Sequence, residues 1–280
     1  MLRSIDWGTP ANILEKVILY EAVHEIRGWD DLRNRLDPRD RRCFAFFHPA
    51  LIDEPLIFVE VALTTHMPDA VAPLIASARA VVNERDATTA VFYSISNCQK
   101  GLAGITFGNF LIKQVVEDLS RALPRLTTFV TLSPVPGFAG WLKREVDADS
   151  SKLISPDRRE ALKSIDDADW YLNEAKIAKL RQPLLASAAT YLLFAKTLAG
   201  KPIDPVARFH LGNGARLERI NVLGDLSEKG LNSAHGVMVN YLYSPDEVEQ
   251  NHEAFAEQAT VTASENVRRL ADEKSFVMSI

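Results

Sequence analysis

Thr88-Thr89-Ala90-Val91-Phe92-Tyr93-Ser94-Ile95-Ser96 is rich in β-branched and aromatic residues and reads as a strand. It runs through Asn97-Cys98-Gln99-Lys100 into Gly101-Leu102-Ala103-Gly104-Ile105-Thr106-Phe107-Gly108, a turn with three glycines in eight residues. An amphipathic helix comes next over 109–123, ended by Pro124, and Leu126 to Leu132 reads as the next strand. Backbone N–H groups in such a turn point outward, and the helix dipole favours an anion. A pyrophosphate or a developing oxyanion fits there. The spacing is neither a P-loop nor a Rossmann fingerprint, and tight packing of helix on sheet would ask for the same glycines. Lys113 stands one turn inside the helix.

Upstream, Thr9 and Pro10 suit an N-cap and a first turn, and Ile13, Val17, Ile18 and Val23 continue at near-helical spacing. Trp29 to Leu36 predicts a short helix stopped before Pro38. Residues 43–47 and 56–63 predict a β-hairpin closed by Asp53-Glu54-Pro55, and 68–80 a helix. Downstream, residues 143–200 are charged and lack strand signals. They predict a helical insertion of about three helices, the last opened by Pro183. A short helix over 205–211 leads into the turn signal Gly212-Asn213-Gly214. Strands over 215–222 and 236–243 come after it, then helices from Pro245 and over 264–274. Strands interleaved with helices in this way predict an α+β protein with a mixed α/β sheet.

The length of 280 residues fits one large or two small domains, and a 47% hydrophobic fraction supplies a core without staples. A net charge of -5 argues against nucleic acid as the partner, since phosphate-backbone binders are usually basic. Two cysteines, Cys43 and Cys98, make neither a disulfide framework nor a zinc site, and read as buried thiols in a reducing compartment. The first residues lack the apolar region of a signal peptide, and the apolar stretch 183–195 falls short of the roughly 20 residues that span a bilayer. A cytoplasmic location away from membranes is expected.

Ser133 stands at a strand end before Pro134, which holds it extended, while Pro136-Gly137 stiffens the turn beyond it. Its hydroxyl is thus aimed by a rigid turn at a sheet end; a local capping bond is the plainer role for any lone serine. The Gly-x-Ser-x-Gly elbow is absent. Of six histidines, His210 sits at the edge of the Gly212-Asn213-Gly214 turn and His235 precedes a strand. None pair at metal-ligand spacing, so no metal site is expected.

The strings Phe92-Tyr93-Ser94-Ile95-Ser96, Gln99-Lys100-Gly101-Leu102-Ala103-Gly104, Gly108-Asn109-Phe110-Leu111-Ile112-Lys113, Leu132-Ser133-Pro134-Val135-Pro136-Gly137-Phe138 and Phe209-His210-Leu211-Gly212-Asn213-Gly214-Ala215 occur in this order. Arg219-Ile220-Asn221, Asp225-Leu226-Ser227, Gly236-Val237-Met238-Val239-Asn240-Tyr241 and Tyr243 come after them. Together they closely resemble the malonyl-CoA decarboxylases, over nearly the whole chain. The resemblance implies an N-acetyltransferase-like (GNAT-like) acyl-CoA-binding fold spanning 1–280 with the helical insertion inside it. It covers only the family's catalytic part, so the helical oligomerisation domain is expected to be missing. It implies catalytic roles for Ser133 and His210, and a CoA-binding loop at Ala103, Gly104, Ile105, Thr106, Phe107, Gly108 and Asn109. Ser94, Asn213 and Tyr243 are implied to line the substrate site. Some members carry a glutamate where this chain has Thr106, so any role of that carboxylate is dispensable here or filled by Thr106 or water. The implied reaction turns malonyl-CoA into acetyl-CoA without metal, biotin or pyridoxal phosphate. The implied partner is a small acyl-CoA, with neither nucleic acid nor membrane, and a homo-oligomer is among the expectations. An N-acyltransferase with an amine acceptor and a non-catalytic acyl-CoA-binding module stay open beside it.

Overall fold

The computed structural model describes residues 1–99, 101, 107–167 and 169–271. The chain divides into two compact units, Met1–Leu132 and Ser133–Ile280.

In the first unit, strands β1 (Leu2–Ile5), β2 (Arg41–Phe47), β3 (Pro55–Thr64), β4 (Thr89–Asn97) and β5 (Thr128–Thr131) lie side by side in chain order. The first three pairings are antiparallel and β4–β5 is parallel, so the sheet is mixed, as the alternation of elements predicts. The predicted hairpin is β2–β3. Nearly every residue of β3 is buried. Successive side chains of a strand face opposite ways, so both faces of the sheet are covered here. Helices α1 (Ala11–Tyr20) and α2 (Trp29–Leu36) cover one face: Ile13, Leu14, Val17, Leu32 and Leu36 pack with Cys43, Ala45 and Phe58. Both cysteines are free and buried.

Two expectations fail locally. Thr9 does not cap α1; its hydroxyl accepts the Asp6 N–H at 3.0 Å, and the helix starts at Ala11 with no side-chain cap. The helix expected over 68–80 shrinks to α3 (Ala72–Ile75). Pro73 has no N–H to give to Asp69, so it fits only a first turn. The carbonyls of Leu74, Ile75 and Ala76 are taken by the Arg41 and Asn34 side chains. Helix α4 (Phe107–Ala122) makes the crossover from β4 to its parallel neighbour β5, burying Leu111, Ile112, Val115 and Leu119. That four-residue recurrence is one helical face. It starts two residues before the predicted Asn109.

The second unit opens with β6 (Ser133–Pro134) and a helical stretch of α5 (Phe138–Asp147), α6 (Pro156–Leu162) and α7 (Glu174–Phe194). Pro183 lies inside α7 rather than opening it. Burial of Leu180, Leu184, Ala188 and Tyr191 carries the helix through the one backbone bond proline removes. Then come α8 (Pro205–Gly212), β7 (Arg216–Asn221), α9 (Glu228–Ala234), β8 (Met238–Leu242), α10 (Val248–Gln258) and α11 (Glu265–Leu270). Strand β8 pairs antiparallel with both β6 and β7. Strand β1 and helix α9 carry no clear signal in the sequence. Lys274, the expected end of the last helix, lies outside the described residues.

Candidate active site

Ser133 is fixed by β-pairing. It sits opposite Val239 of β8, so residues at even spacing from Val239, namely Tyr241 and then Tyr243, share its face. Across from them ends α8. Asp204 caps the start of this helix, its carboxylate accepting the Ala207 N–H at 2.9 Å, with Pro205 in the first turn. The same carboxylate accepts the Tyr191 hydroxyl at 3.2 Å and the Gly137 N–H. One buried carboxylate therefore starts the helix that carries His210 and also holds the turn beyond Ser133. The turn comes in so closely that a Cβ on Gly137 would lie 2.5 Å from the Tyr191 oxygen. Glycine is required for the approach.

These constraints bring Ser133, His210 and Tyr243 into one chain of hydrogen bonds. Ser133 Oγ lies 3.0 Å from His210 Nε2, and His210 Nδ1 lies 2.9 Å from Tyr243 Oη. The Tyr241 ring stacks on the imidazole, with centroids 4.6 Å apart and planes inclined by 25°. His210 is 3% exposed. Burial pulls its pKa down to about 3, so the imidazole is neutral at neutral pH. Burial likewise pushes the Tyr241 and Tyr243 phenols well above their usual range. The relay is thus uncharged at rest, with a hydroxyl and an imidazole nitrogen placed to exchange a proton away from water. That is the equipment of general acid–base chemistry.

Beyond His210 the helix ends on a fixed turn. The Asn213 N–H bonds to the carbonyls of Phe209 and His210, both at 3.1 Å. Gly214 adopts a positive φ of 79°, and a Cβ there would lie 2.1 Å from the Val248 carbonyl oxygen. The Asn213 side chain is fully buried, and neither its Oδ1 nor its Nδ2 has a hydrogen-bond partner among the described residues. An unsatisfied buried polar group of this kind costs about 1–3 kcal/mol.

Of the residues that the sequence singled out, Ser133, His210 and Tyr243 meet in the relay, and Asn213 stands one turn after His210. Ser94 belongs to the first unit, where its hydroxyl meets both carboxylate oxygens of Glu21 at 2.8 and 2.7 Å. Ala103, Gly104, Ile105 and Thr106 lie outside the described residues; Phe107, Gly108 and Asn109 form the start of α4. His235 follows the last residue of α9 in a left-handed conformation. Asp204, Tyr191 and Tyr241 are missed by the sequence reading. Asp204-Pro205 is a helix-start signal, and Tyr241 alternates with Tyr243, so both were findable.

Fold and site define the class: an α+β protein with a mixed sheet and a buried serine–histidine–tyrosine hydrogen-bond chain. A family model of the malonyl-CoA decarboxylase C-terminal domain matches residues 1–278. The mitochondrial malonyl-CoA decarboxylase of Anser anser anser is 37% identical over 95% of this chain and 56% of its own length. That of Mus musculus is 35% identical over 96% of this chain and 58% of its own. The chain thus spans a little over half the length of these curated relatives. Among solved structures, malonyl-CoA decarboxylase from Rhodopseudomonas palustris superposes with a TM-score of 0.93 at 59% identity, covering 96% of this chain and 66% of that one. The Agrobacterium vitis enzyme gives a TM-score of 0.93 at 57% identity, over 98% and 67%. The chain belongs to the malonyl-CoA decarboxylase family.

Proposed function

We propose that this chain decarboxylates malonyl-CoA to acetyl-CoA and CO2 on a GNAT-like scaffold, with the Ser133–His210 pair as its acid–base machinery. The relay Ser133 Oγ–His210 Nε2–Tyr243 Oη is the observation that carries the reading. Ser133 hydrogen-bonds and orients the malonyl carboxylate. The carbon–carbon bond breaks, CO2 leaves, and the electron pair passes to the thioester enolate. His210 then gives a proton to the enolate carbon, forming the methyl group of acetyl-CoA. Its imidazole is neutral in the free chain, so that proton enters with the anionic substrate, whose carboxylate favours the imidazolium. After the transfer the imidazole is neutral again.

Backbone N–H groups of the segment 103–109 hold the CoA pyrophosphate in this reading, and Ser94 lies along the acyl-CoA path. The reaction uses neither a metal nor an organic cofactor. A cytoplasmic site of action is part of the proposal. No helix among the described residues is long and apolar enough to cross a membrane.

The test is mass spectrometry of malonyl-CoA incubated with the purified chain, beside Ser133→Ala and His210→Ala. Stoichiometric acetyl-CoA, cut by about 10²–10⁴-fold in either variant, is expected. Wild-type turnover by both variants would overturn the assignment. Release of free CoA that depends on an added amine would establish an acyltransferase instead.

A further inference from the structure

We infer that the Asn213 carboxamide is a substrate-binding group of this same site, donating its N–H to the thioester oxygen of the bound acyl-CoA. The identity of that ligand rests on the decarboxylase reading above.

The side chain is wholly buried, and both its polar atoms lack partners among the described residues. Folded proteins rarely keep a buried amide in that condition, and exceptions ask for a reason. Backbone conformation does not supply one. Asparagine is favoured near helix ends because it tolerates the left-handed region, but Asn213 has φ -98° and ψ 15°. Gly214 takes the left-handed position instead. Core packing does not supply one either, since an apolar residue of the same size would fill the space without leaving polar atoms unpaired.

Position does supply one. The Asn213 N–H bonds to the His210 carbonyl at 3.1 Å, a bond between residues three apart. Residues three apart at a helix end occupy neighbouring positions on one face, which puts Asn213 on the side of α8 that carries His210. The Phe209 carbonyl takes the same N–H, and Gly214 is locked against Val248, which fixes the backbone beneath it. A preset donor beside the proton-transfer group is what an enolate needs: charge grows on the thioester oxygen as CO2 departs. The donor requires no reorganisation at that moment. The Oδ1 acceptor is matched by the amide N–H groups that the pantetheine arm of CoA carries.

Two variants and two readouts test this. Asn213→Leu removes both polar atoms at similar volume; Asn213→Asp keeps the shape but removes the donors. The readouts are malonyl-CoA turnover and calorimetric affinity for acetyl-CoA against CoA, which lacks the thioester. Both variants are expected to lose about 10²–10³-fold in kcat. Both are expected to lose the wild-type preference for acetyl-CoA over CoA, and Asn213→Leu to keep or raise Tm. A structural amide would instead lower Tm in the Leu variant and leave turnover per folded molecule intact, and that result would overturn the inference. So would wild-type turnover in the Asp variant. If the wild-type chain does not decarboxylate at all, the decarboxylase reading fails by itself. The acetyl-CoA to CoA affinity ratio in wild type and variants then decides the Asn213 assignment alone.

Discussion

In the first unit a carboxylate is fully buried on β3: Glu60, met by the Arg35 guanidinium at 3.2 Å. Arg35 also bonds to the carbonyls of His24 and Glu25, each at 2.8 Å, and to Asp31 at 3.3 Å. In the second unit the buried polar group is His210, whose ring nitrogens face a serine and a tyrosine. One cluster ties a guanidinium to two acidic side chains and to the backbone. The other holds neutral groups within hydrogen-bonding reach of one another, and the Asn213 carboxamide, three residues on from His210, has no partner among the described residues. Both are buried to a similar degree, so burial alone does not mark a reactive site. The type of partner does. A guanidinium bonded to two carboxyl groups and two backbone carbonyls pins α2 to the sheet, while a neutral imidazole between two hydroxyls has neighbours that can exchange a proton with it.

That contrast can be broken from the structural side first. Arg35→Leu would leave the buried Glu60 carboxyl and the His24 and Glu25 carbonyls without their donor, and each unsatisfied buried group costs about 1–3 kcal/mol. The urea midpoint should fall accordingly, while turnover per folded molecule stays at the wild-type level. A lost turnover with an unchanged midpoint would erase the distinction between the clusters. Next, Gly137→Ala drives a methyl group into the Tyr191 hydroxyl, and overpacking of this kind costs about 1–3 kcal/mol. It should lower kcat more than it raises KM, because it shifts the turn that carries Ser133.

The two clusters should also differ in the sign of their pH dependence. His210 titrates near 3 when folded and in the ordinary histidine range when unfolded, so the unfolded chain binds the proton first. Stability from this group is present above about pH 6.5 and is lost as pH falls toward 3, by up to about 1.4 kcal/mol per pH unit. Glu60 runs the other way. Burial, reinforced by Glu21, raises its pKa, so its stability is present in acid and declines as pH rises above the ordinary carboxylate range. Denaturant melts from pH 4 to 9 should show His210→Phe flattening the acid limb and Glu60→Gln flattening the alkaline one. The smallest effect is calorimetric: malonyl-CoA binding at pH 7, compared across buffers of different ionisation heat, should take up about one proton. Binding with no proton change would mean the imidazole stays neutral in the complex.

The sequence discloses the parts of the fold that rest on local pattern. The hairpin β2–β3, the strand β4 and the helix α2 all arise from alternation, turn residues or a stop signal. It hides what depends on distant partners. The span 68–80 looks helical until Arg41 and Asn34 claim its carbonyls, and Pro183 looks like a start until the packing of α7 is known. Taken one by one, Ser133 and His210 are a capping serine and a turn-edge histidine. Their order among several separated motifs is what singles them out. The motifs point to Tyr243 and Asn213, and Asp204-Pro205 reads as a helix start, but the bond of Tyr243 to Nδ1, the grip of Asp204 on the turn beyond Ser133 and the lack of a partner for the Asn213 amide among the described residues appear only in three dimensions.

Strand β6 is two residues long, and its register is set by Ser133 lying opposite Val239, more than one hundred positions further along the chain. Such a closure carries a large loop entropy and forms slowly compared with the helices between its ends. The relay is therefore among the last features to assemble after dilution from denaturant. Recovery of helical circular dichroism should run ahead of recovery of turnover, and the lag is the time the chain takes to find one two-residue pairing.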